Sequence, residues 1–181
     1  MADAVRRKCF ISYHKDDRKE VEAFIKKFDE EEKVFISRSV GVSDDDQDLI
    51  DSENWDYVMK RIREKYLTDS TVTIVLIGKC TWSRRFVDWE IASTLRDDPN
   101  NKRSGLMAIT LPSIANSSDK KLPPRLDDNV DGEKGYARWW KYPGTADQLR
   151  NLIEIAFDAR TSKEDLVNNG RERKKHSSHC E

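Results

Sequence analysis

Glycine is scarce in this chain, with seven in 181 residues, and none of them falls in a GxGxxG or GxxxxGK[ST] pattern. A backbone cradle for the phosphates of a nucleotide is therefore not expected. Cysteine is scarcer still. Cys9, Cys80 and Cys180 are too widely spaced for a disulfide framework or a zinc set. Cys9 and Cys80, at the edges of apolar stretches, read as ordinary reduced thiols. HExxH, CxxC and GxSxG are missing, which removes the common metalloprotease, redox and nucleophile-elbow readings. The longest apolar run, near Thr73 to Gly78, is too short to span a bilayer. "MADAVRRKCFISYH" carries two arginines but no apolar signal segment, so export is not expected and the cytoplasm is the default compartment. An excess of one charge is missing too. With 33 basic and 34 acidic residues the net charge is -1, which gives no global attraction for nucleic acid or an anionic membrane.

What remains is a polar but foldable chain, 37% charged and 36% hydrophobic, of a length that fits one domain. Strand-like runs alternate with helical ones. "KCFISYH" (8–14) and "KVFISRSV" (33–40) are β-rich, and "STVTIVLIG" (70–78) is continuously apolar, as a central parallel strand covered on both faces should be. "GLMAITL" (105–111) and "YARWWKYP" (136–143) supply a fourth and a fifth strand. Between them, Val21, Phe24, Ile25 and Phe28 recur at helical spacing, as do Trp55, Val58, Met59, Ile62 and Tyr66. Leu149, Leu152, Ile153, Ala156 and Phe157 mark the last helix. In the fifth strand, alternation buries one of Trp139 and Trp140 and sends the other to the opposite face. The segment from Pro112 to Gly135 reads as weakly structured and too polar for core. The domain is expected to span 1–160, with 161–181 a polar tail. The end of that tail, "NNGRERKKHSSHCE", reads as a frayed terminus or, through His176, His179 and Cys180, as an adventitious metal site.

This β/α alternation predicts an α/β, flavodoxin-like three-layer sandwich with a five-stranded parallel sheet near 8–14, 33–39, 71–78, 105–111 and 136–142. Ligands in such folds bind outside the carboxyl ends of the strands, which directs attention to loops 12–17, 40–52 and 78–85. A phosphoacceptor receiver would need an aspartate ending the third strand, where Gly78-Lys79-Cys80 stands instead. Asp44-Asp45-Asp46 in the second loop reads either as a solvated loop or as a Mg²⁺ site. The loop's glycine, serine and aspartates suggest a mobile segment that gates the cleft or contacts a neighbouring subunit.

"TWSRRFVDWEI" (81–91) opens a helix whose buried stripe is Val87, Ile91 and Leu95, at ~100° per residue. Ser83 is the candidate N-cap, and the opposite face, with Arg85 and Arg96, should meet solvent. Glu90 lies beside the stripe. A boundary carboxylate there is either held by a nearby donor or borders a cleft.

"CFISYHKDD", followed by "TVTIVLIGKCTWSRRFVDWEIASTL", resembles a Toll/interleukin-1 receptor (TIR) domain. It is more similar to the bacterial TIR-like branch that includes the NAD-cleaving signalling proteins of Thoeris anti-phage defence. The resemblance covers roughly residues 8 to 158. It implies that Glu90 is the catalytic glutamate, with Phe86 where many members have tryptophan. It places Ser12, Tyr13 and His14 in the loop bordering an NAD pocket. Trp82, Ser83 and Arg85 fall in the turn leading into the catalytic helix, and 40–52 matches the loop that gates or assembles TIR domains.

The implied reaction is cleavage of the nicotinamide–ribose bond of NAD⁺, which is substrate rather than cofactor; no metal is implied. Nicotinamide leaves as a neutral molecule, so a single carboxylate facing the ribosyl cation suffices. With the helix N-terminus and Arg84 or Arg85 nearby, Glu90 is expected to be ionised at neutral pH. His14 is a candidate contact to phosphate or a base edge, Arg85 to the pyrophosphate, and Tyr13 and Trp82 are candidate stacking partners, each with a structural role as the alternative. The implied products are ADP-ribose or a cyclised form that signals to a downstream effector. The partners this implies are NAD⁺ and, through self-association, a second copy of the chain; neither nucleic acid nor membrane is expected. The alternative function is a non-catalytic TIR-like interaction module.

Overall fold

The computed structural model describes residues 4–38 and 41–181. Five strands form one all-parallel sheet: β1 (Arg7–Ser12), β2 (Phe35–Arg38), β3 (Val72–Ile77), β4 (Gly105–Thr110) and β5 (Arg138–Trp140). Their spatial order is β2-β1-β3-β4-β5. The expected doubly covered parallel sheet is thus present, with the continuously apolar strand at its centre and all six of its residues buried. The last positions of the predicted second strand, Ser39 and Val40, lie outside the described residues.

Period-two alternation divides the core. Cys9, Ile11, Ile74, Leu76, Met107 and Ile109 face α1 (Arg18–Ile25) and α6 (Ala146–Ser162). Val75, Ile77, Leu106 and Ala108 face α4 (Arg85–Leu95), and Phe10 faces α3 (Trp55–Lys65) and Trp89. Trp139 and Trp140 do fall on opposite faces, but each stays half-buried, because β5 is an edge strand. At Gly105 the sheet and α6 approach so closely that a Cβ would lie 2.2 Å from the carbonyl oxygen of Ala156. Gly105→Ala is expected to cost about 1–3 kcal/mol in urea unfolding, the range typical of overpacking. A neutral result would mean that α6 can slide.

Three expectations are corrected. A short helix, α2 (Gln47–Asp51), interrupts the loop after β2. Asp46 there is not solvated: it is 3% exposed, and its carboxylate accepts hydrogen bonds from Lys65, Tyr66 and the Ser43 N–H. The segment after β4 is not too polar for core, since α5 (Pro124–Asp127) buries Arg125 completely. The guanidinium donates to Asp88 at 2.8 and 3.3 Å, and this pairing is what allows a charge into the interior. Nor does α4 keep a solvent face: every residue from Val87 to Leu95 is buried. Its outer side is covered by α3, α5 and the C-terminal segment, whose Lys174 carbonyl accepts the indole N–H of Trp89 at 2.8 Å. Among the described residues no helix is long and apolar enough to cross a membrane.

Candidate active site

Ser12 ends β1 on the same face as Phe10, so its hydroxyl points toward α4. Glu90 lies in the second turn of α4. The helix is tied to β3 because Thr94 donates to the Glu90 carbonyl at 2.8 Å and meets Thr73 at 2.8 Å. The Glu90 carboxyl therefore meets the carboxyl edge of the sheet, where Ser12 Oγ donates to Oε2 at 2.6 Å. The chain after β2 crosses above it. The Val42 N–H donates to Oε1 at 3.0 Å, and Gly41 packs so tightly that a Cβ would fall 2.1 Å from that oxygen.

Glu90 is 5% exposed. Burial pushes its carboxyl up to about 8, against the opposing pull of the Ser12 and Val42 hydrogen bonds. The expected ionisation at neutral pH is therefore corrected: in this closed arrangement the group is predominantly protonated. Two reasons are visible. Glu90 lies past the first helical turn, where the dipole is felt, and both neighbouring guanidiniums are engaged elsewhere. Arg84 donates to Ser83 and the Ser178 carbonyl, whereas Arg85 donates to the Lys175 carbonyl and lies 3.8 Å from Asp44.

Beside the carboxyl opens a cavity of about 660 Å³, within the size range of small-molecule sites. Of the residues expected in the site, Tyr13, His14, Arg85, Phe86 and Glu90 line it. Phe86 stacks edge-on with Trp89 at 5.5 Å and carries the Arg85 guanidinium 4.8 Å over its ring, which makes the aromatic wall. His14 is 6% exposed, with Nε2 3.1 Å from Asp16. Ser12 stands behind the wall as a buried donor to Glu90. Trp82 and Ser83 are not brought to this cavity. Trp82 lines a separate one, beneath the ammonium of Lys121, 4.9 Å from the ring centroid. Ser83 is fully buried and is not the N-cap of α4, because its hydroxyl donates to the Cys80 carbonyl at 2.7 Å. Sequence reasoning placed Arg84 near Glu90 but missed Lys15 and Arg18 on the rim, and His176 and Ser177 from the tail. The basic residues were legible as charges next to strand ends. The tail residues carried no local signal.

A parallel sheet, a buried carboxyl at its carboxyl edge and an aromatic wall beside a cleft form the setting in which the comparison with known families is decisive. The family model for the TIR-like domain of the Thoeris protein ThsB matches residues 10–131, about two-thirds of the chain. The chain belongs to this family. No curated protein matches it significantly. Membership in the ThsB TIR-like family ties the chain to Thoeris anti-phage defence signalling. The matched region runs from β1 through α5 and contains Ser12, His14, Gly41 and Glu90, while α6 and the C-terminal segment lie outside it.

The closed loop makes a measurable claim. Gly41→Ala is expected to lift the backbone from the carboxyl, break the Val42 hydrogen bond and admit water. The titration midpoint of Glu90, followed by its carboxyl ¹³C shift, should then fall by ~1 pH unit or more. An unchanged midpoint would mean the loop absorbs the methyl without opening.

Proposed function

We propose that this TIR-like protein cleaves NAD⁺ at the nicotinamide–ribose bond, with Glu90 facing the ribosyl carbon. The observation that carries the reading is a buried carboxyl with no cationic partner among the described residues, held by one hydroxyl and one backbone N–H at the wall of a cleft. Burying such a group costs stability, and a merely structural boundary glutamate would reach solvent or a guanidinium instead.

In the proposed complex, the ribose hydroxyls replace the Val42 N–H as partners of the carboxyl, and Gly41–Val42 withdraw to admit them. The positive charge of the nicotinamide riboside lowers the Glu90 pKa, so the group ionises as substrate enters. The glycosidic C–N bond breaks with its electron pair leaving on the nicotinamide nitrogen, which becomes neutral. The ribosyl cation is stabilised by the carboxylate across a water-poor cleft. Water, or a nucleophilic atom of the same nucleotide, then bonds to the cation; a water or hydroxyl nucleophile also sheds a proton. ADP-ribose or a cyclised form results. Tyr13 and Phe86 offer surfaces for the leaving ring, His14 offers a ring nitrogen, and Arg84 and Arg85 offer charge for the pyrophosphate.

Incubation of the purified protein with NAD⁺, followed by chromatography and mass spectrometry, tests this reading. Nicotinamide should appear in equal amount to ADP-ribose or to the cyclised form, which is lighter by one water. NAD⁺ surviving unchanged, across protein concentrations that span monomer and self-associated forms, would leave the interaction-module reading in its place.

A further inference from the structure

The C-terminal segment is not the frayed terminus its composition suggests. It runs as an extended strap along α4, the helix that carries Glu90. The Glu172 carbonyl accepts from Arg125, and the Lys174 N–H donates to Asp88 at 2.8 Å. The Lys174 carbonyl accepts from the Trp89 indole. Ser177 Oγ accepts the Arg85 N–H at 3.2 Å, so the strap supplies the side-chain cap that α4 lacks of its own. The Ser178 N–H donates to the Ser83 carbonyl at 2.8 Å. Beyond these contacts a disulfide joins Cys180 to Cys80, in the turn just before α4. This corrects the expectation of a reduced thiol at Cys80; only Cys9, fully buried, remains free. The strap's His176 and Ser177 line the same cavity as Glu90 and Arg84.

We propose that residues 172–180 are a redox-anchored wall of the Glu90 cleft, which presents His176 to the anionic pyrophosphate and is released when Cys80–Cys180 is reduced. This rests on the NAD⁺ reading above for its ligand, but not for its anchor. Both cysteines are half-buried, so a small dithiol can reach them. In the exchange, one thiolate of the dithiol attacks a sulfur of the bridge and displaces the other cysteine as thiolate. The second thiol of the dithiol then closes its own disulfide, leaving Cys80 and Cys180 as two thiols. The anchor lost, eight hydrogen bonds between an otherwise polar segment and the rest of the chain must hold the wall against its chain entropy.

The test uses the full chain carrying Glu90→Gln, so that NAD⁺ binds without being consumed. Oxidised protein, the same protein treated with dithiothreitol, and forms adding Cys180→Ser or His176→Ala are compared by calorimetric titration with NAD⁺. Amide exchange is followed in parallel. Reduction and Cys180→Ser are each expected to weaken NAD⁺ at least tenfold, and His176→Ala severalfold. The amides of Arg85, Lys174 and Ser178 should lose protection only when the bridge is open. Unprotected amides in the oxidised protein, or affinities within twofold throughout, would overturn the wall. Should oxidised protein bind no NAD⁺, the NAD⁺ reading falls, and inorganic pyrophosphate becomes the probe. The wall then stands if its binding still weakens on reduction and falls if it does not.

Discussion

Glu90→Gln is expected to stabilise the folded protein, and to do so far more at pH 9 than at pH 4.5. In the folded state burial holds the Glu90 carboxyl up to about 8, from its ordinary value of 4.5. Between those two values the folded chain keeps a proton that the unfolded chain has released. Stability therefore falls as pH rises through that window, by about 1.4 kcal/mol per pH unit for this one group. Below it both states are protonated and the penalty vanishes. Glutamine is neutral throughout. Its carbonyl can accept from the Val42 N–H and its amide can donate to Ser12, so both contacts survive. The wild type should therefore trail the variant by on the order of 4 kcal/mol at pH 9, or roughly 10 °C in melting temperature for a domain of this size. Asp17, whose carboxyl is also raised by burial, is common to both proteins and cancels in the difference. Melting curves for the pair across pH settle the matter. A difference that does not change with pH would mean that Glu90 already sits ionised and comfortable.

Such a penalty is what a working group carries. A protein selected only to fold has no use for a proton trapped at the edge of its sheet, and substituting it should help stability at the expense of activity. The neighbouring buried charge behaves oppositely. Asp88, two residues earlier, is satisfied by Arg125 and by the Lys174 N–H, and shows no comparable vacancy of partners. Two acids on one helix thus have separate roles. Asp88 holds the helix to α5 and the strap, while Glu90 faces the cleft.

The difference between these acids also marks how far the sequence could be read. The sheet was legible because β3 is apolar at every position but Thr73 and because α1, α3 and α6 repeat their apolar residues at helical spacing. Glu90 stood out because it broke such a pattern. Pairings between distant segments left no local trace. Asp88 and Arg125 are 37 positions apart, and Cys80 and Cys180 are 100 apart. Taken singly, each of these polar residues suggests solvent. Ser83 had the composition of a helix cap, but the 3₁₀ turn Thr81–Ser83 turned its hydroxyl inward, and Ser177 took the place. The protonation of Glu90 was misjudged for the same reason. The nearby arginines were visible in the sequence, but the strap and the loop that engage them were not.

Loss of turnover is the second large effect expected of Glu90→Gln. Replacing the carboxyl removes the negative charge that the proposed mechanism sets against the ribosyl cation, and the rate should fall by ~10²-fold or more, as it does when a preorganised stabilising group is lost. NAD⁺ affinity should change less than the rate, because the amide keeps the hydrogen-bonding atoms that meet the ribose. The pH dependence separates this from a general injury. For the wild type, kcat/KM should rise with pH through about 8, where the free carboxyl ionises. The limb in kcat should lie lower, since the bound cationic ring favours the carboxylate. In the glutamine variant both limbs should be absent from the residual rate. If the variant cleaves NAD⁺ within a few-fold of wild type, or retains the limb near pH 8, then another group supplies the charge. Glu90 would in that case be a costly structural residue in an otherwise correctly read fold.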